Sequence, residues 1–331
     1  MNLKTKMEKI IHHSYPNIAG VCVRKKDEVV YESYLNGSSP ETTVHVFSVT
    51  KSIISALIGI AIDTGKIRSK GQKVLEFFPE YSIMEAEKTI QNVTIEALLT
   101  MTAPYKYKPE CYKERDYAKY FASEDWVNAS LDLLGGKKKT GEFLYTPLIG
   151  PDILSGIIKK ATGQSVVDFA NQHLFLPLGI SGKENIFLKN KEEQLVFYQA
   201  KNVDGWVAGP NGVNPAGWGL GLCAMDMAKI GQLYLNGGRW ENKQIISSDW
   251  ILESTMEHSR SNQWKLSYGY LWWVIDEKEH IYAAMGDGGN IIYVNEKKGM
   301  VVSIASFYQL KAKDRIKLIR EYIEPAFEDK Y

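Results

Sequence analysis

Between Lys51 and Gly65 the chain reads Ser-Ile-Ile-Ser-Ala-Leu-Ile-Gly-Ile-Ala-Ile-Asp-Thr, apolar around nearly the whole circumference of a helix. A helix with no polar face has no side to give to water, so other layers of the fold must enclose it. Gly65 supplies its C-terminal stop. Such a helix needs a large core. A chain of 331 residues, 44% of them hydrophobic and 24% charged, has the material for one. No window approaches the apolar run of roughly 18 residues that a membrane helix needs.

The flanks of this helix are β-rich. Residues 17–24 and 28–35 read as a hairpin around Lys25, Lys26 and Asp27. Near the other end, 280–285, 291–295 and 300–307 read as three more strands, with Glu296-Lys297-Lys298-Gly299 as the last turn. Leu3, Met7, Ile10 and Ile11 fall at helical spacing, as do Ile316, Leu318, Ile319, Ile323 and Phe327 within 312–327. Between the ends the pattern is mostly helical, at 95–101, 123–134, 151–161, 166–174, 225–235 and 247–254. Strands from both termini therefore form one antiparallel five-stranded sheet flanked by helices, an α+β arrangement with a mostly helical insert. The expected division is 1–66 with 268–331 as a sheet domain and 67–267 as a helical domain, with any site at their seam.

Forty basic against thirty-nine acidic residues give a net charge of +1, which offers no footprint for nucleic acid or an anionic membrane. The run Lys137–Lys139 reads as a solvated loop face. Cys22, Cys111 and Cys223 form no Cys-x-x-Cys pair, and the six histidines show no zinc spacing, so no metal, cofactor or disulfide framework is expected. Lys6, Glu8 and Lys9 interrupt the start of the chain as a secretory signal, which makes a cytoplasmic location the expectation.

The strongest chemical signal is Ser48-Val49-Thr50-Lys51, the one Ser-x-x-Lys in the chain, at the head of its most apolar helix. Three residues apart, the two side chains share a helix face. Free N–H groups at a helix N terminus favour a developing anion. A lysine at the start of a buried helix is partly desolvated, which favours the neutral form able to take a serine proton. The plainer alternative is a capping serine beside a surface lysine whose head reaches water.

With this motif and a series of ordered matches, the chain resembles the serine β-lactamase-related hydrolases. That group holds class C β-lactamases, D-alanyl-D-alanine peptidases and related esterases and amide hydrolases. The matches are Val46–Lys66, Thr94–Thr102, Phe143-Leu-Tyr145 leading to Ile153–Gly163, Leu174–Ile180, Gly217–Leu222, Asp226–Gly238 and Tyr268–Trp273. The resemblance implies a β-lactamase/transpeptidase-like fold. It also implies an acyl-enzyme on Ser48, no cofactor, and a small-molecule ester, amide or lactam as substrate. It assigns Lys51 and Tyr145 to proton transfer, the phenol being useful if the lysine lowers its pKa. The family's Tyr-x-Asn departs here to Tyr145-Thr146-Pro147, which removes an amide side chain. Gly286-Asp287-Gly288-Gly289-Asn290 stands where relatives carry Lys-Thr-Gly or His-x-Gly. By resemblance the backbone N–H groups of Ser48 and Asn290 form the oxyanion hole, and Asp287, Gly288, Gly289 and Trp218 meet the substrate. Trp206, Trp218, Trp272, Trp273 and Tyr105 are candidates for an acyl-pocket lining, with packing the default reading for each.

Asp287 is the informative departure, because relatives present a basic or neutral polar residue to a substrate carboxylate there. An acid repels that carboxylate by about 1 kcal/mol in water and by more when desolvated. The leading expectation is thus a hydrolase of a small ester or amide with a neutral or cationic end. A true β-lactamase or D-alanyl-D-alanine carboxypeptidase is one alternative. A non-catalytic binding protein of the same fold is another.

Overall fold

A computed structural model describes residues 2–83, 88–106, 120–135, 140–146 and 150–328. Pro147, Cys111 and the basic run 137–139 lie outside these residues.

The main sheet is antiparallel and holds eight strands. They are β1 (Ile18–Lys25), β2 (Glu28–Tyr34), β3 (Ser259–Ser261), β4 (Leu266–Tyr268), β5 (Trp273–Asp276), β6 (Ile281–Gly286), β7 (Asn290–Asn295) and β8 (Met300–Ser306). Across the sheet the order is β2-β1-β8-β7-β6-β5-β4-β3. The five strands read from the sequence are its contiguous part. The three beyond them have three or four residues each, too few for an alternation of apolar and polar positions to stand out. The turn between β1 and β2 places Lys26 and Asp27 at φ 50° and 65°, the left-handed pair that matches the twist of a tight hairpin. The chain ends meet where β1 pairs with β8, Ile18 opposite Ser306 and Cys22 opposite Ser303.

Alternation along the strands builds two cores. Val21, Val23, Ile291, Tyr293, Val302 and Ile304 pack against Met7 and Ile11 of helix α1 (Leu3–Ser14) and against Leu318, Ile319 and Ile323. Those last three lie in the C-terminal helical segment. It starts at Arg315, three residues later than expected, and passes through a π-turn at Ile319–Ile323. Cys22, Ile292, Val294, Val301 and Ala305 face the other way, into the larger core.

Helix α2 (Val49–Asp63) crosses that larger core with every residue from Val49 to Ala61 buried. Its flanks are the sheet, helix α3 (Asp152–Thr162) and the indole of Trp250. A β-carbon on Gly59 would lie 2.4 Å from that indole, so glycine in mid-helix costs about 1 kcal/mol of propensity but lets the ring pack flat. Helix α4 (Ala224–Leu235) covers β8, β7 and β1 on the same face. The insert also contains helices at Ile95–Leu99, Trp126–Leu131, Val166–Ala170 and Ser248–Ser254. Their starts are set by Thr94, Asp125, Ser165 and Ser247, whose side chains accept from backbone N–H groups of the first turn.

Candidate active site

Strand residues Val44–His45 lead into the head of α2 through Phe47, which holds a left-handed φ of 50°. This conformation is costly for a residue with a β-carbon, and here it turns the chain from strand to helix immediately before Ser48. The Ser48 side chain makes no capping bond. Instead Lys51 Nζ donates to Ser48 Oγ at 2.9 Å, and Ser48 Oγ reaches the Gly217 carbonyl at 3.5 Å. Lys51 is only 1% exposed, so a capping serine beside a surface lysine does not describe this pair. The Gly217 carbonyl is held in place from behind, where Gly219 N–H donates to Nε2 of the buried His45 at 2.8 Å. Burial pushes that imidazole down to about 3, so it accepts as a neutral ring.

Burial also governs the other ionisable groups. It brings Lys51 down to about 7, against the opposing charges of Asp287 and Asp152, so half of the lysines are neutral near pH 7. Tyr145 hydrogen-bonds with Ser48, and its ring centroid lies 5.2 Å from Lys51 Nζ. Its phenol is pushed up to about 12 by burial, with the Ser48 hydrogen bond pulling down and the Asp287 charge pushing up. A lysine-lowered phenol was the sequence expectation, and the direction is the reverse. Desolvation outweighs the Ser48 hydrogen bond, so Tyr145 stays protonated.

Asp152, which sequence reading passed over, is 1% exposed. It accepts from Tyr120 Oη and, at 2.8 Å, from Ala216 N. Burial raises it to about 6, with Tyr120, Ala216 and Lys51 opposing. Nothing in the local pattern distinguishes it from an acid in the first turn of an ordinary helix.

The Gly286–Asn290 segment is the turn between β6 and β7, and it divides its residues differently from the expectation. Gly286 lies against Ser48, since a β-carbon there would stand 3.1 Å from Ser48 N and 2.2 Å from Val46 O. Asp287 follows at the exposed tip, near enough for its charge to act on Lys51, Tyr145 and Tyr198. Gly288 and Gly289 line a cleft together with Gly286 and Asp287, and are closely approached by Phe307–Tyr308 and the Arg315 guanidinium respectively. Asn290 pairs with Gly286 across the turn, and its side chain is spent as a brace. Asn290 Nδ2 donates to the Asp287 carbonyl at 2.8 Å and to the His45 carbonyl at 3.3 Å, while Oδ1 accepts from Ser306 N at 2.8 Å. Gly286, four residues before Asn290, is the residue of this turn that abuts Ser48 N.

Trp218 is 1% exposed and packs among Trp126, Phe121, Phe197 and Tyr198, behind the pocket wall. The mouth instead carries Trp264 and Tyr308, 45% and 41% exposed. Trp264 stands 5.3 Å from the Tyr145 ring, and Tyr308 5.3 Å from that of Phe47. A cleft of about 560 Å³ runs past Trp264, Met285, Gly286, Asp287 and Tyr308. Among the described residues no three metal-ligating side chains cluster, and no helix is long and apolar enough to cross a membrane.

Known proteins are similar to this chain in sequence and in fold. The 6-aminohexanoate-dimer hydrolase of Paenarthrobacter ureafaciens is 22% identical over 296 residues, 85% of this chain and 70% of that one. The fold matches a penicillin-binding protein homologue from Caulobacter crescentus with a TM-score of 0.70 at 17% identity, covering 93% of this chain and 92% of the other. A family VIII carboxylesterase gives 0.71 at 14% identity, covering 97% and 96%. The Beta-lactamase family profile matches residues 6–324, which takes in Ser48, Lys51, Tyr145 and the β6–β7 turn alike, and the chain belongs to that family.

Proposed function

We propose that the protein is a serine hydrolase that forms an acyl-enzyme on Ser48 and hydrolyses a small ester or amide. The observation that carries this reading is the Lys51 ammonium nitrogen 2.9 Å from Ser48 Oγ in a buried setting that brings its pKa to about 7. Neutral Lys51 takes the Ser48 proton as Oγ attacks the substrate carbonyl carbon. The carbonyl oxygen gains the negative charge, and we assign the backbone N–H of Ser48, the N-cap of α2, as one donor to it. We assign the second donor to the backbone N–H of Asp287, the residue after Gly286, in place of Asn290. Tyr145, protonated across the working range, gives its proton to the departing alkoxide or amine and recovers one from Lys51. Water then attacks the acyl carbon by the same path in reverse, and the acid leaves with Ser48 restored. The name of the Paenarthrobacter relative supports an amide among the possible substrates.

Asp287 weighs against a β-lactam or D-alanyl peptide, whose carboxylate would meet a carboxylate. The intact set of Ser48, Lys51 and Tyr145 weighs against a protein that only binds. The test is labelling with a fluorophosphonate probe, followed by peptide mapping of the adduct. We expect the adduct on Ser48 and its loss in Ser48→Ala, with the fold unchanged by circular dichroism. An adduct on another serine would overturn the assignment.

A further inference from the structure

The cleft beside the nucleophile has an uneven distribution of charge. The Asp287 carboxylate is exposed at the tip of the β6–β7 turn and, among the described residues, makes no ion pair and no side-chain hydrogen bond. Lys311, Lys313 and Arg315 also line this cleft, together with the acid Asp314. Arg315 is buried and donates to Asn17 Oδ1 at 2.8 Å, to the Lys313 carbonyl at 3.0 Å and to the Gly288 carbonyl at 3.3 Å. Lys313 stands 5.8 Å from the Tyr15 ring centroid, and Lys311 is exposed. On the side of the reacting atoms, Asp152 is a second carboxylate, and above pH 7 Lys51 loses its charge.

Aromatic rings accompany that charge. Trp264 and Tyr308 line the cleft with Asp287, both close to half exposed. Tyr308 leads through Phe47 to Tyr198, the rings 5.3 Å and then 5.9 Å apart, and Tyr198 lies within the field of Asp287. Exposed rings beside an unpaired carboxylate form the kind of surface that binds an organic cation, which loses little hydration and gains both ion pairing and the ring quadrupole. A carboxylate ligand gains neither.

We propose that Asp287, with the rings of Trp264 and Tyr308, forms a subsite for a substituted ammonium group on the substrate, a few bonds from the carbonyl that Ser48 attacks. This rests on the hydrolase reading for the position of the carbonyl, but the cation site itself does not depend on turnover. The substrate class is then an amino-acyl or choline-like ester or amide, cationic at one end.

The test compares p-nitrophenyl butyrate with p-nitrophenyl 4-(trimethylammonio)butyrate at pH 8 and low salt, in the wild type and in Asp287→Asn. The readout is the ratio of kcat/KM for the two esters within each protein, which cancels any effect of Asp287 on Lys51. We expect the cationic preference to fall roughly tenfold in Asp287→Asn, the size of one partly desolvated ion pair at contact. A ratio unchanged within twofold overturns the subsite. If no ester is hydrolysed in a Ser48-dependent way, it is the hydrolase reading that fails. The subsite is then judged by butyltrimethylammonium binding, followed by tryptophan fluorescence: weaker binding in Asp287→Asn supports it, and equal binding overturns it.

Discussion

Gly286 is a sharp place to test how the site is assembled. Its φ of −130° and ψ of 158° are ordinary extended values that any residue adopts, so backbone freedom does not explain the glycine. Space does. An alanine β-carbon would stand 2.2 Å from the Val46 carbonyl oxygen and 3.1 Å from Ser48 N, both backbone atoms that cannot rotate aside. Restoring ordinary contact at 3.4 Å requires β6 and the turn before Ser48 to separate by about 1.2 Å. Overpacking of this kind costs about 1–3 kcal/mol of stability. A shift of about 1 Å between reacting groups costs on the order of 100-fold in rate, because both the nucleophile and the oxyanion donors lose alignment. Gly286→Ala should therefore fold with modest destabilisation in urea and show kcat/KM on p-nitrophenyl butyrate lower by roughly 100-fold. Gly71→Ala is the control, since its β-carbon would meet nothing nearer than Ser69 Oγ at 3.7 Å. A Gly286→Ala protein within threefold of wild-type kcat/KM, equally stable, would refute the claim that β6 is pressed against the nucleophile.

Two further outcomes follow from the buried charges. A proton on Lys51 removes the lone pair that accepts from Ser48, so kcat/KM should fall as pH drops through about 7, to about a tenth of its plateau at pH 6. A profile flat from pH 5 to 9 would show that another group is the base. Because the unfolded chain holds the lysine proton up to the ordinary lysine range, the same shift makes stability rise with pH above about 7. Asp152→Asn removes a negative charge near Lys51, so the midpoint of that profile should move to lower pH, with the fold retained. Asp152→Ala leaves Tyr120 Oη and Ala216 N without their partner and should cost roughly 2–4 kcal/mol in urea unfolding. An unmoved midpoint in the asparagine variant would place Asp152 outside the electrostatics of the site.

Much of this arrangement is legible in the residues. The all-apolar helix, the lone Ser-x-x-Lys at its head and the strands at both ends specify the centre of the fold, because each is a strong local pattern. What the sequence hides are relations between distant backbone segments. Which residue of the β6–β7 turn abuts Ser48 depends on where the strand ends, and the structure puts Gly286 there. Gly288 and Gly289 line the cleft, and no spacing in the sequence conveys that Phe307, Tyr308 and Arg315 close in on them. The charge state of Tyr145 depends on how completely it and Lys51 are enclosed, which no spacing conveys. Trp264 is one aromatic among many until the ends of β3 and β4 bring it to Tyr145.

The pairing of β1 with β8 also sets a timetable for synthesis. The hairpin and the nucleophile helix leave the ribosome early, but Gly286 and the β8 partner of Ile18–Lys25 are made only after some 250 further residues. Until then the edge of β1 that carries Val21, Cys22 and Val23 has no neighbour, and an open strand edge is a template for pairing with another chain. A nascent or prematurely terminated polypeptide would thus possess Ser48 and Lys51 yet be inert and adhesive. The open edge closes only when residues 300–306 emerge and pair with it.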